Sequence, residues 1–180
     1  ARQLIYRTDR YLPHDIALYD IRPVREEAHA RFSATSRTYR YYVTLRKDPF
    51  QEARMLRLYF PLDFDRMNEA AGRLKDFTDF TSFSKLHTDV KTNNCRVTEA
   101  YWQAGAEEGQ WIFTITADRF LRNMVRAVVG TLFQVGKGRL SVEDFCAVIE
   151  AKDRGQAGSS APAHALYLEQ VGYPEDLYLD

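Results

Sequence analysis

Ser36-Arg-Thr-Tyr-Arg-Tyr-Tyr-Val-Thr-Leu-Arg46 decides the fold class of this 180-residue chain. Read with a two-residue period, it puts Tyr39, Tyr41, Val43 and Leu45 on one face and Arg40, Tyr42, Thr44 and Arg46 on the other. One face is apolar and the other polar, so the spacing predicts a half-buried strand. Around it, Asp15 to Ile21 reads as a short strand after the Leu12-Pro13 turn, and Met55 to Phe60 as another ended by Pro61. Arg96 to Gln103 and Gln110 to Ala117 form a hairpin about residues 105–109, with Trp111, Phe113 and Ile115 on one face. His164 to Val171 supplies a closing strand.

Three helices fill the gaps. Met67, Ala70, Ala71 and Leu74 recur at helical spacing behind the N-cap candidate Asp63. Asp118 can cap a helix with the apolar stripe Leu121, Met124, Val125, Val128 and Leu132, stopped by Gly136 and Gly138. Ser141-Val-Glu-Asp144 resembles a capping box for a helix that turns Val142, Phe145, Val148 and Ile149 inward. Residues 77–91 lack a clean period and read as a loop held by phenylalanines, and residues 155–163 as a small-residue loop. The expected class is α+β: a mixed, mainly antiparallel sheet with helices packed on one face, in a single domain over 1–180 with an acidic tail near 174–180.

Composition narrows the function. A 45% hydrophobic, 13% aromatic chain of this length can bury one sizeable core. Its 25 basic and 25 acidic residues cancel, so any polyanion site must be local. Arginines crowd Arg22 to Lys47, opposed only by Glu26 and Glu27. Cys95 and Cys146 stand alone, which argues against a disulfide framework or a zinc cluster and fits a reducing cytoplasm. No apolar run reaches membrane-spanning length. The opening Ala1-Arg-Gln-Leu-Ile-Tyr lacks the order of a secretory signal and reads as mid-domain sequence.

Four positions stand out as candidates. Tyr39, among Arg37, Arg40 and Arg46, can stack on a splayed base while guanidinium groups hold phosphates; the same ring also suits the first buried position of the strand. Arg122, Arg126 and Gly130 lie four residues apart, a stripe of two cations and one bare backbone spot that a polynucleotide or a neighbouring loop could approach, with Arg119 adding a third cation. A solvated helix face is the plainer reading. Leu166 reads first as core. Asp79-Phe-Thr-Ser-Phe83 could order a loop over a site or form a satellite cluster of packing. Gly130 to Lys137 fails as a phosphate loop because its spacing is wrong and Gly138 stands where Ser or Thr must bind magnesium. His14, His29, His87 and His164 lack ligand spacing, Gly158-Ser-Ser-Ala161 is not a nucleophile elbow, and no RNP1 pattern precedes Tyr39.

In order along the chain, Leu12-Pro-His-Asp-Ile-Ala17, His29-Ala-Arg-Phe-Ser-Ala34, Arg37-Thr-Tyr-Arg-Tyr41, Asp79-Phe-Thr-Ser-Phe83, Phe120 to Gly130 and Leu166-Tyr-Leu168 are similar to the tRNA pseudouridine synthase A family. The resemblance implies an enzyme that isomerises uridine to pseudouridine in the anticodon stem-loop of tRNA, without a cofactor or metal, as a homodimer when full length. It implies that Tyr39 is the tyrosine stacking on the target uracil, Arg126 the arginine paired with the catalytic carboxylate, and Leu166 an apolar wall. Arg37 and Arg122 join Tyr39 and Leu166 as substrate-binding candidates. The family's nucleophilic aspartate sits in a Gly-Arg-Thr-Asp-Ala-Gly-Val-His-like segment. Arg7-Thr8-Asp9 echoes it, but the continuation is that of a later segment, so Asp9 reads as a turn residue and the nucleophile is expected upstream of Ala1. The chain then corresponds to the C-terminal half of the enzyme, inactive alone, with the N-terminal half as its partner. A non-catalytic RNA-binding module and a dimer-assembly domain are the alternatives. Ala165 also stands where the family has a glycine.

Overall fold

The computed structural model describes residues 2–85 and 92–179; His87 and the end of the expected 77–91 loop lie outside them. In chain order the elements are α1 (Arg2–Asp9), β1 (Ser36–Thr44), β2 (Leu56–Arg57), α2 (Phe64–Arg73), β3 (Val97–Ala104), β4 (Gln110–Ala117), α3 (Met124–Gly136), α4 (Val142–Glu150) and β5 (Leu166–Gly172). They fall into two compact units, one spanning 35–172 and the other joining the residues up to 34 with those from 173.

In the larger unit β1 is the organising strand. It pairs antiparallel with β4 along its length, from Arg37↔Ala117 to Thr44↔Gln110. Its other edge is shared: β5 takes Ser36 to Tyr41 antiparallel, and β2 takes Val43 and Thr44 parallel. That sharing explains why the strand expected over Met55 to Phe60 is only two residues long. β3 closes the sheet beyond β4. Each helical crossover, α2 between β1 and β3 and α3–α4 between β4 and β5, joins strands separated by one other, the split βαβ arrangement of a ferredoxin-like β-α-β-β-α-β unit. The class is α+β, a mixed and mostly antiparallel sheet with helices packed against it.

The expected alternation is what builds the core. Tyr41 and Val43 of β1, Phe113 and Ile115 of β4, and Ala100 and Trp102 of β3 are buried on one face, packed with Met67, Ala70 and Ala71 of α2, Val128, Leu132 and Val135 of α3, and Phe145, Val148 and Ile149 of α4. Phe64 stacks on Trp111 with centroids 3.9 Å apart. Asp63 caps α2 by accepting from the Arg66 N–H at 3.0 Å, and the Ser141–Asp144 capping box opens α4.

Two further expectations need correction, and one helix went unread. Residues 15–21 form no strand; only Val24 bridges, to Tyr178, because no neighbouring strand offers Ile16 to Ile21 a ladder. Asp118 does not cap α3: its carboxylate accepts from the N–H groups of Arg96 (2.8 Å) and Arg119 (2.7 Å), and the helix starts after Asn123, which is left-handed at φ 70°. α1 had no sequence signal at all; none of its residues is buried.

In the smaller unit the acidic tail runs back beside residues 23–25. The Arg25 N–H donates to the Leu177 carbonyl and the Leu179 N–H to that of Pro23, while the Arg25 guanidinium pairs with Asp176 at 3.3 Å. Asp9 is the last residue of α1, a helix end and not the turn expected, and accepts from the Leu18 N–H at 2.9 Å.

Two polar ties inside the larger unit have consequences for stability. β3 is an edge strand, and Asn68 of α2 covers part of that edge: its amide nitrogen donates to the Trp102 carbonyl at 3.0 Å and its oxygen accepts from the Trp102 N–H at 2.6 Å. In the 79–83 segment Phe80 and Phe83 are fully buried, and the buried Ser82 hydroxyl donates to the Val148 carbonyl at 2.6 Å and accepts from the Asp153 N–H at 3.0 Å. Asp79 accepts from both the hydroxyl and the N–H of Thr81 and pairs with Lys152 at 3.0 Å. The Thr81 hydroxyl, with Lys152 behind it, holds the Asp79 carboxyl below the usual aspartate range. The segment is therefore a packed corner that anchors the end of α4.

Asn68→Ala leaves two backbone groups of the buried Trp102 without partners and is expected to cost about 2 kcal/mol, a fall in Tm of roughly 4–8 °C at this length by thermal melt; an unchanged Tm would show that the clasp is idle. For Asp79, a carboxyl with a lowered folded pKa contributes stability that is present above its unfolded pKa and lost as pH falls through the folded value. The Tm gap between wild type and Asp79→Asn should therefore be largest near neutrality and shrink as pH falls below about 5. A gap that does not change with pH counts against the assignment.

Candidate functional site

Where β1 begins and α3 starts, the larger unit opens a cleft of about 840 Å³. Its walls come from four places. Tyr39 of β1 and Leu166 of β5 form the sheet side; residues 120–123 and the first turn of α3 to Arg126 form a second; Arg154 and Ser160 a third; Lys85 a fourth. Among the described residues the lining contains four cations, Lys85, Arg122, Arg126 and Arg154, and no carboxylate. Such a site attracts anions even though the whole chain is neutral.

Tyr39 is half-buried and meets Phe120 edge to face, centroids 5.1 Å apart and planes at 90°. That contact fixes the tyrosine ring from the side, a geometry compatible with stacking a planar base on a face. Leu166 lies on the same sheet face, and Tyr41, one ladder step deeper, pairs with it in register. Tyr41 is fully buried and donates to the Pro162 carbonyl at 2.9 Å; burial pushes its pKa far above the ordinary phenol value, with Arg126 opposing, so it is a neutral post beneath the cleft.

Arg126 is held from one side. Its Nε donates to the Ala161 carbonyl at 2.6 Å, and its own carbonyl accepts from the Ala161 N–H at 2.9 Å. No described residue accepts from either Nη, so the guanidinium keeps the N–H donors of both nitrogens for the cleft. The 157–161 segment that grips it can lie so close only because Gly130 has no side chain: a Cβ there would overlap the Ser159 carbonyl oxygen. Gly158 matches it from the other side, where a Cβ would come within 2.9 Å of the Gly130 oxygen, and the Gly158 N–H donates to the Thr131 hydroxyl at 2.9 Å. The bare spot on α3 thus receives a neighbouring loop, one of the two approaches the sequence allowed.

The structure brings four of the five candidate positions, Tyr39, Arg122, Arg126 and Leu166, into one cleft. Arg37 is placed differently: its Nη1 donates to the Asp118 carbonyl at 2.6 Å, outside the lining residues. Arg40 and Arg46, weighed as neighbours of Tyr39, and Arg119, weighed with Arg122 and Arg126, lie outside the lining residues. Arg40 turns to the opposite sheet face and pairs with Glu169 at 2.9 Å, Arg46 pairs with Glu108, and Arg119 donates to the Thr92 carbonyl. The 79–83 segment packs in the core instead of covering the cleft. Ala165 sits in a short 3-10 turn without a positive φ, so alanine is accommodated where the family pattern has glycine. Sequence reasoning missed Lys85, Phe120, Asn123, Arg154 and Ser160. Of these, Phe120 and Asn123 lie in the quoted Phe120 to Gly130 segment without being singled out, Arg154 and Ser160 lie beside the glycine pair Gly155 and Gly158 of a loop that approaches another backbone closely, and Lys85 had no signal.

Comparison with known proteins adds an independent line. A family model described as tRNA pseudouridine synthase matches residues 72–174. The tRNA pseudouridine synthase A of Porphyromonas gingivalis is 65% identical over 179 residues, covering 99% of this chain and 71% of that protein. Its counterparts in Parabacteroides distasonis and Bacillus subtilis are 61% and 38% identical, covering 97% and 96% of this chain and 69% and 70% of the relatives. Extensive coverage at this identity, together with a family match over more than half the chain, leaves one conclusion: the chain belongs to the tRNA pseudouridine synthase family.

Proposed function

We propose that this chain forms the cation-rich wall of a pseudouridine synthase active site that acts on the anticodon stem-loop of tRNA. The observation that carries the reading is the lining itself: an aromatic ring and four cations, including an arginine whose two Nη groups have no acceptor among the described residues. The reaction breaks the bond from ribose to N1 of uracil, turns the base and rejoins it through C5. A buried base must leave its stack to be reached, and a stacking ring with phosphate-binding cations meets that need. A carboxylate nucleophile is also required, and an opposed guanidinium keeps it ionised by favouring its charged form.

In this reading Tyr39 stacks on the uracil, Leu166 lines the base pocket, and Arg122 and Lys85 meet the flanking phosphates. Arg126 faces a catalytic aspartate contributed by the N-terminal half of the enzyme, which joins this chain in the whole protein. The 180-residue chain by itself is inactive, and the full-length enzyme works as a homodimer, in the cytoplasm and without a cofactor. Arg37 supports the entrance through its tie to Asp118.

In the full-length gene product, Arg126→Ala and Tyr39→Ala should each lower pseudouridine formation in a tRNA transcript by roughly a hundredfold, the scale of removing a preorganised group from a water-excluded site. tRNA affinity should change far less. Loss of binding with turnover per bound tRNA intact would instead favour a non-catalytic RNA-binding module, and no effect on either would favour an assembly role. The isolated 180-residue chain should form no pseudouridine; formation by it would contradict the assignment of the nucleophile to another segment.

A further inference from the structure

Arg154 lines the cleft, but its hydrogen bonds go to protein. Nη1 donates to the carbonyls of Ala157 (3.4 Å) and Gly158 (3.2 Å), and Nη2 donates to the Ser160 hydroxyl at 3.0 Å. No carboxylate pairs with it among the described residues. The Ser160 oxygen also accepts from the Asn123 amide at 2.6 Å, and Asn123 is the left-handed residue that launches α3. Ser160 is followed by Ala161, whose N–H and carbonyl grip Arg126. A single planar guanidinium therefore ties off three acceptors of an irregular loop, and the next peptide of that loop orients the arginine facing the cleft.

We propose that Arg154 is a positioning residue for the isomerisation, acting through Ser160 and Ala161 to set the orientation of Arg126. The proposal rests on the reading of Arg126 as the group facing the catalytic carboxylate. Loop carbonyls in a cleft need partners, and without Arg154 the 157–161 segment would find them in water and shift. A shift of about 1 Å at Ala161 moves the Arg126 head group with it, and misplacement on that scale costs turnover more than binding. Arginine is suited to the task because its fork reaches several acceptors in one plane, which a lysine ammonium on a flexible stem does not reproduce.

The alternative use of Arg154 is as a charge that touches RNA, and the two uses separate experimentally. In the full-length protein, Arg154→Lys, Arg154→Ala, Ser160→Ala and Arg126→Ala are compared for single-turnover pseudouridine formation, tRNA Kd and Tm. Positioning predicts that Arg154→Lys and Ser160→Ala each slow turnover about tenfold, with Kd within about twofold of wild type. It also predicts that neither adds to the loss in an Arg126→Ala background, since residues acting through one group do not add. Where an Arg154 variant fails to fold, Ser160→Ala, which keeps the charge, decides. The proposal is overturned if Arg154→Lys keeps the wild-type rate while Arg154→Ala weakens tRNA binding, or if the losses multiply with Arg126→Ala. An Arg126→Ala enzyme with wild-type turnover sinks the reading beneath it as well, whereas an enzyme sensitive to Arg126→Ala and indifferent to Ser160→Ala sinks the positioning role alone.

Discussion

The backbone of residues 158–161 rests on α3 at Gly130, with no room for a side chain between them. From this close approach follow the other features of the cleft. It brings Ala161 within hydrogen-bonding distance of Arg126 through both backbone groups, sets Gly158 on the Thr131 hydroxyl, and leads the chain to Pro162, whose carbonyl takes the Tyr41 phenol. Four residues further on the chain enters β5 at Leu166, opposite Tyr41. A helix, a loop and two strands thus share one junction, and the side chains lining the cleft are attached to it.

The junction also sets the electrostatics. Arg126 spends one donor on the loop and keeps the other two nitrogens open to the cleft. Arg154 does the reverse and spends its fork on protein carbonyls and a hydroxyl. Tyr41, buried and neutral, adds no charge. The result is a cleft in which positive charge is divided between holding the walls and facing the interior.

Most of the sheet was legible from alternation, and the helices from caps. β1, the β3–β4 hairpin, α2 behind Asp63 and α4 behind its capping box all lie close to where period and capping chemistry put them. Errors arose where local pattern met tertiary geometry. Ile16, Leu18 and Tyr19 alternate like a strand but have no partner to pair with. The strand at Leu56 is cut short because β5 already occupies most of that edge of β1. Asp118 has the chemistry of a cap, but hairpin closure at Arg96 claims its oxygen first. In the cleft, Tyr39, Arg122, Arg126 and Leu166 carry recognisable chemistry in recognisable frames, whereas Lys85 and Arg154 are ordinary surface-type cations in sequence. Only folding brings them to the same cleft. Gly130 was visible as a bare position, yet whether RNA or protein would fill it could not be read without the loop.

The most direct test of this account is Gly130→Ala in the full-length enzyme, assayed for pseudouridine formation and tRNA Kd at a temperature where its melting curve shows it folded. The added methyl must push the 158–161 segment off α3 and release Arg126, so turnover should fall by roughly tenfold or more while tRNA binding is largely kept. Wild-type turnover from a folded Gly130→Ala enzyme would contradict the dependence of the site on that contact.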